Sequence, residues 1–344
     1  MDFLSATSLV LVAVALLSHQ LPLISGLGGI GVNYGLNGDN LPQPSDVINL
    51  YGRCGIDIVR IFEPNHGVLD ALHGKPNALW LGTRNEDIHS FATDQMAANA
   101  WVNAHVLPYY ADVNIEYITV GNEVVPADPA TPFVANAIRN IMQALVTAGI
   151  KKDIKVTTVV HMGAMGVSYP PSAGVFTVAA AGPLSDIAKV VGSSGTPLLL
   201  NVYPYFAYAS SPQQIPLNYA LFTSTTPGVV DGNLNYYNLF DAMVDSFYAA
   251  LEKIDAANVR LEISETGWPT KGNEPFTSVE NAVTYNKNFM NHVASGAGTP
   301  RRPNVKYNGI LFEMFNEDLK AAGVEQNFGF FYPNMQPVYP FWNC

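Results

Sequence analysis

Eight short apolar runs recur along the chain, each followed by a more polar or helix-forming stretch, and this repetition limits how the chain can fold. The runs are mostly continuous rather than alternating, which is typical of parallel strands buried on both faces. Eight such units predict a closed (β/α)8 TIM barrel, an α/β fold, as a single domain. The predicted strands are residues 30–34, 57–62, 78–83, 117–120, 154–160, 197–203, 259–264 and 309–315.

Helical patterns lie between these strands, at residues 44–53, 132–148, 237–254 and 278–294. An open, doubly wound sheet is the alternative arrangement of the same units. It is disfavoured because residues 35–38, Gly-Leu-Asn-Gly, form a turn after the first strand rather than a glycine-rich phosphate loop. No shift in composition and no linker divides the 344 residues into two domains.

The charge of the chain restricts its partners. The formal net charge is −11, and only 13% of the residues are charged. Nucleic acids and anionic polysaccharides are therefore not expected as partners, because the sequence has no basic patch that would bind their negative groups. A neutral substrate fits this composition better.

The N-terminus has the pattern of an export signal. Nine apolar residues at 9–17 are too few to span a bilayer, and a stretch of small residues follows at 25–29. We therefore predict a signal peptide at residues 1–29, cleaved within 25–29, and a secreted barrel domain at 30–344 with no membrane anchor. A buried N-terminal helix is the alternative, because Asp2 precedes the apolar run and no Lys or Arg does.

The chain has two cysteines, Cys54 and Cys344. They either form one bridge in an oxidising compartment, since the first and last segments of a closed barrel are neighbours, or remain two free thiols. Spacing alone leaves both possibilities open. No metal-ligand spacing occurs in the sequence, so we expect no metal.

Two predicted strands end in a glutamate. Glu123 lies just beyond the fourth strand, and Glu265 lies at the end of the seventh. Strand ends at this face of a barrel carry the catalytic groups of barrel enzymes, and two converging carboxylates suffice to hydrolyse a glycosidic bond. A retaining mechanism requires carboxyl groups about 5–5.5 Å apart, and an inverting one requires roughly 6.5–9.5 Å. Either glutamate taken alone is more often surface-exposed or salt-bridged than catalytic.

Polar and aromatic residues next to these acids are candidates for binding a sugar. Asn122 directly precedes Glu123 and can hydrogen-bond a sugar hydroxyl, and Trp268 after Glu265 offers an aromatic wall. The run Tyr203, Tyr205, Phe206 and Tyr208 offers rings for stacking, with core packing as the alternative. Asn201 and Tyr34 are candidate hydrogen-bond donors.

Three further titratable residues receive structural interpretations. His161, after the fifth strand, is predicted to be structural, since a lone histidine more often is. Glu262 and Glu313 lie inside predicted strands, so we expect them to be buried and partnered rather than catalytic.

The sequence around the two glutamates resembles a known family. Val-Gly-Asn-Glu-Val at 120–124 and Ser-Glu-Thr-Gly-Trp-Pro at 264–269 are similar to the signatures of glycoside hydrolase family 17, the plant endo-1,3-β-glucanases. The resemblance spans about residues 30–341. Further matching segments lie at residues 30–35, 201–208, 238–243, 314–317 and 327–329.

The resemblance implies retaining hydrolysis of internal β-1,3-glucosidic bonds by a (β/α)8 barrel without a cofactor. It implies that Glu123 is the general acid/base and Glu265 the nucleophile. Glu317, Lys320 and Glu325 match the family's supporting polar cluster, and a structural ion-pair network is the alternative for each. The expected partner is a β-glucan polysaccharide, such as callose or fungal wall glucan, bound by a monomer.

Two departures from the family pattern lie near the predicted cleft. Phe62 stands where many members have Tyr, and residues 83–86, Thr-Arg-Asn-Glu, stand where the family often has Val-Pro-Asn. They motivate a second hypothesis, a catalytically weak glucan-binding protein on the same scaffold; a β-1,3;1,4-glucanase is the third. The acidic pI of about 5.0 resembles that of extracellular forms, found in the apoplast or cell wall, more than that of vacuolar ones.

Overall fold

Eight parallel strands form a closed barrel in the computed structural model, which describes residues 29–344. Each strand pairs with its neighbours in the sequence, and the last pairs with the first. The predicted signal peptide, apart from Gly29, lies outside the described residues. The strands are Ile30–Asn33, Ile58–Ile61, Ala78–Gly82, Asn114–Asn122, Lys155–His161, Leu198–Asn201, Leu261–Thr266 and Gly309–Leu311.

The barrel confirms the predicted fold and all eight predicted strands, and it excludes the open sheet. The largest difference at a strand end concerns the eighth strand, which ends at Leu311 rather than at residue 315. Beyond Leu311 the backbone pairs with other segments. The Met314 N–H donates to the Asn33 carbonyl at 2.9 Å, and the Phe331 N–H donates to the Met314 carbonyl at 3.0 Å.

The helices surround the barrel, and all four predicted ones are present. Asn238 and Ser278 cap the last two long helices, because each side chain accepts a hydrogen bond from a backbone N–H three residues later. No helix in the described part of the chain is long and apolar enough to cross a membrane. The α-helices are Pro44–Cys54, His66–Ala71, Ile88–Thr93, Gln95–His105, Val134–Thr147, Val178–Ser193, Pro204–Ser210, Leu217–Ala220, Leu239–Lys253 and Val279–Ser295.

Two short antiparallel pairs lie in the loops after the fifth and sixth barrel strands. One joins Met165–Val167 to Val175–Phe176, and the other joins Val229–Asp231 to Leu234–Tyr236. The backbone N–H and the hydroxyl of Ser172 both donate to the carboxylate of Asp231, at 2.6 and 2.8 Å. These bonds tie the two loops together on the side of the barrel where the strands end.

The interior of the barrel changes from apolar to polar along the strands. Its lower part is a separate apolar cluster of inward-facing side chains, formed by Ile58, Trp80, Tyr117, Val159, Leu199 and Ile310. Side chains two residues apart on a strand share a face, so Arg60 lies directly above Ile58 and points inward. The carboxyl-end mouth therefore rests on a dry floor but is itself lined by polar groups.

A disulfide bond joins Cys54, at the end of the first long helix, to Cys344, the last residue of the chain. The two Cα atoms are 4.6 Å apart, and the bond closes a sequence separation of 290 residues. Of the two possibilities left open by the sequence, the structure shows the bridge. A cross-link over so long a loop restricts the unfolded chain strongly.

We predict that Cys344→Ser lowers the free energy of unfolding by about 3 kcal/mol, because the unfolded chain regains the conformational freedom that the bridge removes. Urea unfolding followed by tryptophan fluorescence measures this change. Wild-type protein kept in reductant is the control and should unfold at the midpoint of the variant. An unchanged midpoint for both would show that the bridge does not stabilise the fold.

Candidate active site

A cleft of about 1050 Å³ crosses the carboxyl ends of the barrel strands. Both Glu123 and Glu265 line it, as the strand-end argument predicted. Trp268, Tyr205 and Tyr208 are the candidates that do not line it; those that also do are Tyr34, Asn122, Asn201, Tyr203, Phe206, Glu317, Lys320 and Glu325.

A register shift precedes each of the two glutamates. Pairing between the fourth and fifth strands shifts between Thr119 and Asn122, and pairing between the sixth and seventh shifts between Ile263 and Glu265. An extra residue in one strand re-aims the side chains that follow it. The two shifts account for both carboxyl groups facing the cleft.

The backbone around Glu123 adopts a conformation that is unusual for a side-chain-bearing residue. Glu123 has φ 57°, in the left-handed region, and its N–H donates to the Val159 carbonyl at 3.0 Å. Gly121 has φ 71°, and a Cβ there would lie 2.6 Å from Ile88 Cδ1. The side chain of Asn85 binds both backbone groups of the intervening residue, Asn122. Its Oδ1 accepts from the Asn122 N–H at 2.8 Å, and its Nδ2 donates to the Asn122 carbonyl at 3.0 Å. The strained turn is thus fixed on both sides, and it fixes the Glu123 side chain.

Glu265 is held by two donors. Arg60 Nη1 lies 2.7 Å from Glu265 Oε1, and the Tyr203 hydroxyl lies 2.8 Å from Oε2. Arg60 is 0% exposed and Glu265 is 6% exposed, so solvent hardly screens the pair. A carboxylate accepts both bonds at once, whereas a protonated carboxyl would face one of these donors with its own proton. The surroundings therefore favour the ionised form of Glu265.

Glu123 has a different environment. Its side chain is open to the cleft, and Asn201 Nδ2 donates to its Oε1 at 2.8 Å. Desolvation by the cleft walls and then the negative charge of Glu265 raise the pKa of Glu123 to about 7, against the smaller lowering effects of Asn201 and Arg60. At mildly acidic pH this carboxyl carries a proton.

Polar side chains connect the two acids. Asn122 Oδ1 accepts from Arg60 Nη2 at 2.7 Å, and the Ser264 hydroxyl donates to Asn201 Oδ1 at 2.6 Å. Arg60 also donates to the Ser264 carbonyl at 3.1 Å. The bond from Arg60 uses one of the two acceptor positions of this amide oxygen, so the sugar contact of Asn122 stays a prediction.

The predicted supporting cluster lies at one side of the cleft. Glu317 Oε1 accepts from the Asn37 N–H at 2.5 Å, and Lys320 Nζ lies 3.6 Å from Glu317 Oε2. Burial lowers the pKa of Lys320, but the acids Glu313, Glu317 and Glu265 outweigh burial and leave it raised. Lys320 also lies 4.7 Å from the centre of the Phe312 ring. The cluster is an ion pair that forms part of the cleft wall.

Aromatic rings form another part of the wall. Tyr203, Phe206, Phe312 and Phe328 pack together, with Tyr203 5.4 Å from Phe206 and 6.2 Å from Phe312 between ring centres. Phe206 is 43% exposed and lines the cleft. Tyr205 is buried, and Tyr208 packs on Trp268 and Phe276, so for these two the core-packing alternative fits the structure.

The prediction that Trp268 forms an aromatic wall is wrong. Its side chain is 0% exposed, and its indole N–H donates to the Phe276 carbonyl at 3.0 Å. The ring packs between Tyr205 and Tyr285, behind the cleft surface. Trp268 therefore supports the turn after Glu265 but is not positioned to touch a bound sugar.

Four further residues that the sequence analysis named lie around the cleft, and none of them forms a hydrogen bond with Glu123 or Glu265. Tyr34 is nearly buried at the edge of the cleft, and burial followed by the charge of Glu317 raises the pKa of its phenol. His161 lines the cleft, where burial lowers the pKa of its imidazole. Phe62 lines the cleft with its ring under the Arg60 guanidinium at 4.5 Å, and Arg84 is exposed on the rim beside Asp87.

Glu262 and Glu313, both predicted to be buried and partnered, differ in their hydrogen-bond partners. Glu262 is buried at the amino-end of the barrel and accepts a hydrogen bond from the Asn308 N–H, as expected of a partnered acid. Glu313 is fully buried too, but no donor among residues 29–344 bonds to either of its carboxyl oxygens. The expected donor is thus missing for Glu313, because its carboxyl faces another acid, Glu317.

Sequence reasoning missed Arg60 and Asn85 as site residues. Arg60 could have been predicted, since a charged residue inside the apolar run 58–61 requires a buried partner. Asn85 left none, because its role depends on the backbone of a distant strand.

Comparison with known proteins places these features in a family. The model of "Glycosyl hydrolases family 17" matches residues 30–342. A probable glucan endo-1,3-beta-glucosidase of Arabidopsis thaliana is 46% identical over 324 residues, covering 94% of this chain and 93% of that protein.

Solved structures agree with this match. A beta-1,3-glucanase and allergen of Cryptomeria japonica pollen is 43% identical, with a TM-score of 0.87, over 92% of this chain and all of that one. A structure from a report on two plant beta-glucan endohydrolases with distinct substrate specificities is 41% identical, with a TM-score of 0.86, over 90% of this chain and 99% of that one.

We predict that Glu265→Gln lowers the pKa of Glu123 from about 7 towards its ordinary value of 4.5, because the neighbouring negative charge disappears while the desolvation remains. Carboxyl ¹³C NMR of glutamate-labelled protein, titrated with pH, measures the shift. Glu325→Gln is the matched control, since Glu325 contributes the smallest effect on Glu123 and its removal should shift the pKa less. Equal shifts in both variants would contradict the assigned cause.

Proposed function

The chain belongs to family 17 of the glycosyl hydrolases, and from this membership we propose that it cleaves internal β-1,3-glucosidic bonds of β-1,3-glucans with retention of configuration. In this proposal Glu265 is the nucleophile and Glu123 the general acid/base. One observation supports the division of roles above all others. Glu265 accepts hydrogen bonds from Arg60 and Tyr203, which favour its carboxylate form, while Glu123, which is open to the cleft, has a pKa raised to about 7.

In the first step Glu265 Oε attacks the anomeric carbon of the bound glucosyl unit. The bond from this carbon to the leaving oxygen breaks, and the Glu123 proton moves to that oxygen. The product is a glucosyl ester of Glu265, and Glu123 is left as a carboxylate. Arg60 remains beside the ester and offers its N–H groups to the oxygens as their charge changes.

The second step uses the same residues in reversed roles. Formation of the ester removes the negative charge of Glu265, which is one of the causes that raise the Glu123 pKa. Glu123 therefore becomes suited to remain ionised and to accept a proton from water. The water oxygen attacks the anomeric carbon from the face that the leaving group vacated, and Glu265 is released as a carboxylate.

The walls of the cleft fit a neutral glucan chain. The exposed Phe206 ring and the neighbouring Tyr203 offer apolar faces on which glucose rings stack. Polar groups of the cleft, among them Asn201, are available to orient the sugar hydroxyls. The proposed natural substrates are callose and the glucan of fungal walls.

We also propose that the protein is exported to the extracellular space, in the apoplast or cell wall. Two features support this. The sequence has an apolar run at 9–17 followed by small residues, and the Cys54–Cys344 bond belongs to proteins that mature in an oxidising compartment.

We predict that Glu265→Gln and Glu123→Gln each lower kcat on a linear β-1,3-glucan by at least about 10³-fold, because each removes one of the two groups that the mechanism requires. Reducing-end release measures the loss. Glu262→Gln is the matched control, since Glu262 is a buried acid of the same strand at the other end of the barrel, and it should keep wild-type turnover. Near-wild-type turnover in both cleft variants would refute the assigned roles.

The stereochemistry and linkage of the products test the proposed reaction. Proton NMR during hydrolysis of laminarin-type oligosaccharides should show the β-anomer first, because two displacements at one carbon retain its configuration. Initial release of the α-anomer would contradict the nucleophilic role of Glu265. Product analysis on a β-1,3-glucan and on a mixed β-1,3;1,4-glucan, compared side by side, should show faster cleavage of the first; the reverse would favour the β-1,3;1,4-glucanase alternative.

A further inference from the structure

Glu313 is a buried acid that the mechanism above does not use. It follows the eighth strand, is 0% exposed, and its backbone carbonyl accepts from the Phe330 N–H at 3.0 Å. Within the described chain, three carboxyl oxygens at this place receive no hydrogen bond: both of Glu313 and Oε2 of Glu317. Glu317, four residues along the chain, is the side chain that lies within hydrogen-bonding reach of the Glu313 carboxyl. Two acids in contact, without another donor between them, need a proton of their own.

The surroundings decide which acid holds this proton. Glu317 accepts from the Asn37 N–H at 2.5 Å and has Lys320 Nζ at 3.6 Å, so a hydrogen-bond donor and a positive charge face Glu317. Two contacting carboxylates cannot both ionise without strong repulsion. Burial and then the contact with Glu317 raise the pKa of Glu313 well above its ordinary value. The proton therefore resides on Glu313 and the negative charge on Glu317.

We propose that Glu313 is a positioning residue of the active site, whose carboxyl O–H donates to Glu317 and thereby holds the Glu317–Lys320 ion pair in the cleft wall. Glu313 does not touch the substrate in this arrangement. It acts through Glu317, which also binds the backbone of the loop at Asn37. The proposal deepens the proposed function, on which its activity test rests; its stability test does not depend on that function.

The charges around Glu313 show why the proton matters. The charged groups that act on it are Glu317, Lys320 and Glu265, and the phenols of Tyr51 and Tyr203 also lie near enough to sense its charge. With Glu313 neutral, Lys320 balances Glu317 just as Arg60 balances Glu265. An ionised Glu313 would add a negative charge without a partner close to the nucleophile. Holding the proton keeps these charges balanced.

Two substitutions separate the proposed role from simple packing. Glu313→Gln keeps the size of the side chain and an N–H donor for Glu317 but cannot ionise, whereas Glu313→Leu fills the space without a donor. We expect the Leu variant to lose about 10-fold in kcat, because a displaced Lys320 no longer serves the charged transition state. Its KM should change less, since the glucan is neutral. The Gln variant should recover most of the lost kcat.

The pH dependence of thermal unfolding provides the second test. Above about pH 4.5 an unfolded Glu313 loses its proton while the folded one keeps it, so wild-type stability falls as pH rises. The amide of the Glu313→Gln variant has no such proton to release. The melting temperature of this variant should match that of wild type near pH 4 and exceed it by several degrees at pH 8. Other acids titrate in both proteins and cancel in the difference.

Glu262→Gln is the matched control for both tests. Glu262 is a buried strand acid whose pKa burial raises to about 7, so its replacement also alters the pH dependence of stability. It contacts Asn308 at the opposite end of the barrel, so its kcat should equal that of wild type. The comparison distinguishes a buried proton as such from a proton that positions the site.

Each outcome decides the proposal. A Gln variant as impaired as the Leu variant, or a Leu variant with full kcat, would overturn the positioning role. A melting-temperature difference that stays constant with pH would overturn the assignment of the proton to Glu313. If wild-type protein released no sugar from any β-1,3-glucan, the proposed function would fail, while the unfolding experiment would still decide where the proton lies.

Discussion

The buried guanidinium of Arg60 is the interaction on which the mouth of the barrel depends. A charge in the interior of a barrel is costly unless every face of it is satisfied. The two terminal nitrogens of Arg60 meet this requirement with Glu265, the Ser264 carbonyl and Asn122, which come from the ends of two other strands, whereas its Nε has no hydrogen-bond partner among the described residues. Removing any of these groups would leave charge or donors unsatisfied in a dry environment. The same constraint that stabilises Arg60 therefore fixes the position and the charge of the proposed nucleophile.

The second acid, Glu123, is positioned by a strained backbone turn rather than by an ion pair. Its backbone is in a left-handed conformation, which costs about 1–3 kcal/mol for a residue other than glycine. The hydrogen bond that the Glu123 N–H donates to the Val159 carbonyl, and the two bonds between Asn85 and the backbone of Asn122, hold the turn in place. The strain places the carboxyl where the cleft desolvates it and where Glu265 repels its charge. One acid is thus held by attractive partners, while the pKa of the other is set by desolvation and repulsion.

The sequence predicts the barrel and the position of the two acids at its mouth, because both depend on local patterns. Continuous apolar runs give the strands, and a glutamate at a strand end lies at the mouth whichever strand carries it. Trp268 shows where this reasoning fails, since its burial depends on Tyr205 and Tyr285, far away in the sequence. Strict alternation would place Glu265 on the outer face with Ile263, and only the register shift turns it inward. Such shifts, like the contact between Glu313 and Glu317, arise from pairing in three dimensions.

Each of the four acids at the mouth of the barrel has a neighbouring cation or a proton that offsets its negative charge. Arg60 pairs with Glu265 and Lys320 with Glu317, and in the proposed arrangement protons neutralise Glu123 and Glu313. Of these four acids, only Glu123 is both open to the cleft and shifted to a pKa of about 7, so its proton can be transferred to a substrate oxygen. The proton of Glu313 lies in a fully buried position and has no such path. In the proposed mechanism, depth below the cleft surface therefore separates the proton of Glu123, which is transferred, from the proton of Glu313, which only maintains the structure around it.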